Sequence, residues 1–430
     1  MIEQICQEAG RPASRWKIGY CTNVHAGVDL PAAQGNLLRF AVPIREALGA
    51  QSELPVGLWL AEPAARSLQI DQRVGSFREW LEVQKLLPFT FNGFPQGDFH
   101  QPVVKQRVYE PSWDTRERRD YTLLLIDHLH ALLPAGEIGS ISTLPLGWGK
   151  PEWSDERFRQ ASKHLEEVAE YLQKLEETTG RRIVIAIEPE PGCVLDTSKD
   201  MVDFFSAYLS DSGNGERNRR YLTICHDICH AAVMFESQKN FFDSLRSAGL
   251  LIGKIQVSAA LEVRWSELSA ERRGQGLKFL SQFAEDRYLH QTGILSKTGF
   301  SLWEDLPQLL ACYPIQDIGN PASLRTETTR EPRDLDASSL EESIWRIHFH
   351  VPICESKIGE LYSTQGEIKE CFTLLNQADY RDLCPTGHLE VETYAWSVIP
   401  THLRQNDLVQ SITSEIRWLR DYLTDIHFGV

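Results

Sequence analysis

This sequence predicts an α/β fold closed into an eight-stranded (β/α)8 barrel, on three observations. Apolar strand-like runs alternate with amphipathic helix-like stretches along the chain, the pattern of a parallel sheet covered by helices. Several runs end in acid or imidazole side chains, and the C-terminal ends of barrel strands are where such folds carry their sites. The 430 residues exceed the roughly 250 of a plain barrel, so a long insertion is expected within a single domain spanning 1–430.

Nine runs read as strands: Lys17–Val24, Pro55–Leu60, Pro88–Phe94, Ile138–Leu144, Ile183–Glu188, Tyr221–Asp227, Ile252–Ser258, Trp345–Val351 and Leu389–Tyr394. A barrel needs eight. The surplus is assigned to the region of Ala260–Glu342, which is rich in Arg, Glu and Ser and holds the expected loop Asn320–Ser338. Residues 261–344 therefore read as an insertion or lid late in the barrel. The clearest helix is Asp155–Thr178, where Phe158, Ala161, Leu165, Val168, Leu172 and Leu175 step by three and four to form one stripe. Ser154 suits its N-cap and Gly180 its stop. Asp407–Leu423 follows the same logic with Leu408, Ile412, Ile416, Leu419 and Leu423.

The formal charge of -16 opposes a broad phosphate-binding surface, so no nucleic-acid partner is expected. A small-molecule ligand suits an anionic surface better. Met1–Trp16 has no apolar signal core, and no run reaches about 18 apolar residues, so neither secretion nor membrane insertion is expected. The nine cysteines are scattered, which fits a reduced, cytoplasmic setting.

The candidate chemistry sits at strand ends. Val184, Ala186 and Glu188 share one strand face before Pro189. A carboxylate leaving an apolar strand suits a metal ligand or base, with a solvated strand end as the plainer alternative. Thr223–His230 is dense in ligand types. Asp227 and His230, three residues apart, suit a divalent ion of the Mn, Zn, Mg, Fe or Co class. His226 and the pair Cys225/Cys229 read more simply as core residues, because no second Cys/His pair with finger spacing follows. His348 and His350 share a face, as do Glu390 and Glu392. Glu392 lies nearer the strand end and is the preferred ligand or base, whereas Glu390 equally suits a structural ion pair. His25, Asn92, Asp98, His100, Gln256, Ser258 and His290 are further polar positions near strand ends or in the insertion, where turn and cap roles compete. No phosphate-binding Gly-rich loop or nucleophile elbow is present.

The order Ile187-Glu188-Pro189-Glu190-Pro191-Gly192, Cys225-His226-Asp227-Ile228-Cys229-His230, His348-Phe349-His350-Val351-Pro352 and Leu389-Glu390-Val391-Glu392-Thr393 resembles the xylose isomerase-like TIM barrels. More specifically it resembles the bacterial EboE family, described as metabolite traffic proteins. Lys17–His25, Asn92–Pro95 and His100–Lys105 share that likeness, which runs from about Lys17 to about Pro400. The wider superfamily includes sugar isomerases, epimerases and an endonuclease IV branch. It commonly places Glu, Asp, His and Glu on strands five to eight around a divalent ion. The resemblance implies metal ligands Glu188, Asp227 and Glu392, with His230 matching the endonuclease-like branch. It departs at strand seven, where Gln256 stands in place of His: either Gln256 is a weaker oxygen ligand to the metal, or His350 or His290 supplies the imidazole. The pair of strand-end glutamates with Asp227 between them in sequence reads as proton-transfer groups Glu188 and Glu392, and His25, Asn92, His290 and His348 read as substrate contacts. The resemblance also implies partners from one gene cluster concerned with secondary metabolites. Three functions follow as expectations: isomerase- or epimerase-like proton transfer, metabolite binding without catalysis, and endonuclease IV-like phosphoester hydrolysis.

Overall fold

Seven strands alternate with helices along the first part of the chain: β1 (Lys17–Cys21), β2 (Leu54–Trp59), β3 (Leu86–Asn92), β4 (Gly139–Thr143), β5 (Ile183–Ile187), β6 (Leu222–Asp227) and β7 (Ile252–Val257). Six more, β8 (Leu261–Arg264), β9 (Thr292–Ser296), β10 (Gly299–Trp303), β11 (Ile344–Ile347), β12 (Lys357–Ile358) and β13 (Leu361–Ser363), precede β14 (His388–Val391). In this computed structural model the described residues are 16–429 except 50–51, 71–72, 211–212, 314–339, 394–397, 401, 403 and 405–406. The reading of the first fifteen residues, the loop Asn320–Ser338 and the strand end at Tyr394 lie outside them.

β1 to β7 and β14 close into a barrel in the order β1-β14-β7-β6-β5-β4-β3-β2, every pair parallel. All eight coincide with predicted runs. The ninth run is the one outside, and it falls just past the region first assigned to the surplus. Its ordered part, β11, pairs antiparallel with β8 and β9. These belong to a six-stranded sheet of order β10-β9-β11-β8-β13-β12.

The strands read as continuous apolar runs because barrel strands are covered on both faces. Every residue of β5 is buried. The helix over Asp155–Thr179 buries Ala161, Leu165, Val168 and Leu172, while Phe158 and Leu175 at the ends of the stripe are half-buried. Ser154 accepts from the Arg157 N–H, and Gly180 adopts φ 71° as the left-handed stop. Asp407, expected as the first residue of the last helix, is instead the N-cap of Leu408–Asp425. Among the described residues no helix is long and apolar enough to cross a membrane.

Inside the barrel the packing is polar. Lys254 of β7 and Glu390 of β14 form a fully buried ion pair at 2.5 Å, and Lys254 Nζ lies 3.2 Å from Ser142 Oγ. Glu390 is therefore structural and lies below the rim. Gly57 of β2 makes the slot it fills, since a Cβ there would sit 1.2 Å from Glu390 Oε1. The Gly57→Ala variant is expected to lose about 3 kcal/mol or more of unfolding free energy in urea melts, the cost of breaking a buried ion pair. Gly35→Ala, in a helix with nothing within 4 Å of the new methyl, should stay within about 1 kcal/mol of wild type. Equal stability of the two variants would contradict the slot.

A second buried carboxyl ties the last helix to the rim. Glu415 accepts from the Ile353 N–H and from Thr393 Oγ1, each at 3.1 Å. Burial pushes it up to about 7 against the pull of these donors, with Glu355 adding to the rise. Cys354 also faces it. A folded-state value above the unfolded one means that the fold favours the protonated form. Stability from this group is therefore full below the ordinary carboxylate range and is lost as pH rises through about 7. Relative to wild type, Glu415→Gln should gain on the order of 3 kcal/mol between about pH 4 and about pH 8 in denaturant melts. A difference that stays constant across that range would refute the assignment.

Candidate metal centre

Glu188 follows β5, and its backbone N–H donates to Thr143 O at 2.9 Å. Asp227 ends β6 and caps the helix Ile228–Val233, with Oδ1 accepting from the His230 N–H at 2.9 Å and from Ser258 Oγ at 2.7 Å. This cap is why an Asp followed three residues later by His folds back here: the helix begins at the strand end and turns His230 over the carboxylate. Glu392 follows β14 and accepts from Asn23 Nδ2 at 2.6 Å and from Asn92 Nδ2 at 3.3 Å. Glu188, Asp227 and Glu392 each offer an oxygen within 4.8 Å of the others, and all three are buried. Glu188 and Glu392 are pushed well above the ordinary range by burial first, then by neighbouring carboxylates. Asp227 is held low: burial opposes its charge, and His230, His350 and the hydrogen-bond donors outweigh that.

Three histidines complete the floor, and their ring orientations are fixed by acceptors. His230 Nδ1 lies 2.9 Å from Pro189 O, and His350 Nδ1 lies 3.1 Å from Glu392 O. A carbonyl can only accept, so both Nδ1 atoms carry the proton. His348 Nδ1 lies 2.8 Å from Gln291 Oε1, while Gln291 Nε2 lies 2.9 Å from Tyr109 Oη and 3.0 Å from Pro191 O. That amide orientation makes Oε1 the acceptor. All three rings thus turn Nε2 toward the pocket. His230 Nε2 and His348 Nε2 face each other at 3.1 Å, and Asp227 Oδ2 lies 3.9 Å from Nε2 of both His230 and His350. Burial drives His348 well below its ordinary value and His350 to about 4.

This donor set fits a divalent cation. Glu188 Oε2 and Asp227 Oδ2 are buried without a hydrogen-bond donor, and buried acceptors in that state are costly. Clustered carboxylates call for a proton or a cation between them. A mixed O/N set of carboxylates and imidazoles suits Mn, Zn, Fe or Co, and Mg where oxygens dominate. Ligand-grade triads are Glu188/Asp227/Glu392, Asp227/His230/His350, Glu190/His230/His348 and Cys229/His348/His350. Gln256 pairs with Asp227 and Glu390 in the barrel ladder. Its side-chain oxygen and nitrogen are both buried without a hydrogen-bond partner.

The structure brings together Glu188, Asp227, His230, His348, His350, Glu392 and Asn92. His348 and His350 follow β11 rather than sitting within it. His25 lies elsewhere: its Nε2 is 3.1 Å from Tyr20 Oη and its ring stacks on Phe40 at 4.4 Å, in a separate small cavity. The short helical turn Thr22–Val24 after β1 carries it outward. His290 is fully buried behind the pocket, with Nδ1 3.0 Å from His348 O and Nε2 3.0 Å from Glu285 Oε1. It supports the His348 backbone and does not line the cavity. His226 faces outward to Gln238 Oε1 at 2.7 Å. Glu190, two residues beyond Glu188, shares its strand-end signal as a metal-type ligand, whereas Asn23, Tyr109 and Gln291 carry no such signal in the sequence.

No protein-family model and no curated protein matches the chain. Among solved structures, the chain is similar to the IOLI protein with a bound zinc atom, at 10% identity over 95% of this chain and 98% of that one, with TM-score 0.43. It is similar to a xylose isomerase-like TIM barrel protein from Mycobacterium smegmatis in complex with magnesium, at 11% identity over 64% and 90%, with TM-score 0.41. L-ribulose 3-epimerase matches at 13% identity over 64% and 80%, with TM-score 0.38. Likeness at this level carries no argument about activity.

Proposed function

We propose that this barrel is a divalent-metal-dependent isomerase or epimerase acting on a small hydroxy-carbonyl metabolite. The observation that carries the reading is the buried triad Glu188, Asp227 and Glu392, with ligand atoms within 4.8 Å of one another. Asp227, His230 and His350 would hold the ion with the two glutamates, and Gln256 is a weaker candidate ligand. A bound divalent ion supplies Lewis acidity toward a carbonyl and its neighbouring hydroxyl. Glu188 and Glu392 come from strands three apart in the barrel order, β5 and β14, so they reach a ligand from two sides. One, as carboxylate, would take the proton next to the carbonyl, and the other, as carboxylic acid, would give up its own proton to the neighbouring carbon or the opposite face. Asn23 and Asn92 orient Glu392 by donating to one of its oxygens. The segments just before β9 and just after β11 would cover the site, since Tyr288 and Leu289 of the first and His348 of the second line the pocket.

Two other readings each have one supporting observation. The triad Glu190/His230/His348 extends the ligand set beyond one ion and favours a hydrolase of small phosphoesters. The chain's charge of -16 opposes a nucleic-acid substrate. An apolar pocket wall favours a non-catalytic carrier in metabolite traffic, as in the EboE family that the sequence resembles. That family would place the chain in the cytoplasm beside proteins of its gene cluster.

The test is carbon–hydrogen exchange. Wild type loaded with Mn or Mg is incubated in D2O with a panel of ketoses and 2-hydroxy ketones, and deuterium at the carbon next to the carbonyl is read by NMR. Exchange is expected, and Glu188→Gln and Glu392→Gln should each slow it by roughly 100-fold or more. Exchange at wild-type rate in both variants would end the acid–base assignment. Binding without exchange by wild type would favour the carrier.

A further inference from the structure

The pocket has two halves of opposite chemistry, and proton transfer uses only one. The floor is the ligand cluster. The wall is hydrocarbon: Phe94, Phe99, Val104, Tyr109, Tyr288 and Leu289 face the same space. The space between floor and wall is open at its mouth, so a ligand can enter it head first.

Polar atoms on the wall are already engaged. Tyr109 Oη donates to Glu190 at 2.6 Å, and Tyr288 Oη lies 3.4 Å from His100 Nδ1. Lys105 Nζ is bound to Asp305 at 2.6 Å and to Glu285 O at 3.3 Å. A ligand hydroxyl pressed against this wall would lose its water and gain little in return. A sugar, with oxygen on every carbon, matches the floor but not the wall.

The wall is also held in place. The Val104 and Lys105 N–H groups both donate to Arg287 O, at 2.7 and 2.9 Å, and the Phe99 and Tyr288 rings lie 4.9 Å apart. The loop after β3 and the segment before β9 thus clasp each other across the pocket. Preformed aromatic walls favour a flat apolar group over a flexible chain, because less freedom is lost on binding.

We propose that the ligand of this site is amphipathic. Its polar head carries adjacent oxygens, as in a hydroxy-ketone, and sits on the floor. Its body is an aromatic or alicyclic ring packed on the wall. The head-group half rests on the metal-centre reading, and the ring half rests on the wall alone.

The experiment compares two ketones that share a head: 2-hydroxyacetophenone, which carries a phenyl ring, and hydroxyacetone, which carries a methyl. Dissociation constants are measured by titration calorimetry on the full chain supplied with Mg. The phenyl ketone should bind at least about tenfold more tightly. Leu289→Asp, and Val108→Asp at a half-buried position that also lines the wall, should bring the ratio close to one, with folding checked by circular dichroism. Val108→Asp decides the matter if Leu289→Asp does not fold. A wild-type ratio near one, or a ratio unchanged in the folded variants, would overturn the proposal. Glu188→Gln separates the two readings. Weaker binding of both ketones at a constant ratio supports both. Unchanged binding of both counts against the metal centre and leaves the ratio to judge the wall.

Discussion

Three buried carboxylates whose oxygens lie within 4.8 Å of one another are the constraint around which this barrel is organised. Two like charges about 4 Å apart repel by about 4 kcal/mol even at an effective dielectric constant of about 20. Among the described residues no lysine or arginine pairs with Glu188, Asp227 or Glu392. The nearest buried cation, Lys254, is matched by Glu390 one layer below. Gly57 gives Glu390 the room to stay there. The layer below the site thus neutralises itself and leaves the strand-end cluster acidic.

The histidines sharpen this. Each Nδ1 is tied to an acceptor, by Pro189 O, Glu392 O and Gln291 Oε1. The rings cannot turn to donate to the carboxylates without breaking those bonds. What remains is a cup of oxygen and nitrogen donors aimed at a common space, whose mutual repulsion either protonation of the glutamates or a shared cation relieves. Glu415 fastens the same rim from outside, joining Ile353 and Thr393 to the last helix close to His350 and Glu392.

The barrel itself was legible in the sequence because each strand is an apolar run with a polar end, and burial on both faces demands that pattern. Glu188, Asp227 and Glu392 were legible for the same reason: a carboxylate at the end of such a run has few structural uses. The run Trp345–Val351 overlaps a strand that ends already at Ile347, and its partners were not seen, because antiparallel pairing to β8 and β9 leaves no trace in its own periodicity. His25 and His290 were misplaced because the direction of a side chain just past a strand, or inside a long insertion, depends on the local turn. Tyr109 and Gln291 are 182 positions apart in the chain and meet only through tertiary packing. The apolar wall is equally non-local, since its aromatics come from two distant segments and each alone reads as ordinary core.

The most direct measurement is the metal content of the chain purified without chelator, by elemental mass spectrometry, for wild type beside Asp227→Ala. Asp227 is the residue shared by the carboxylate triad and one histidine triad. Wild type should carry at least about one divalent ion per chain, and the variant should lose it while remaining folded. A wild-type chain that holds no ion, even after reloading with Mn, Zn, Mg, Fe and Co in turn, would contradict the metal centre.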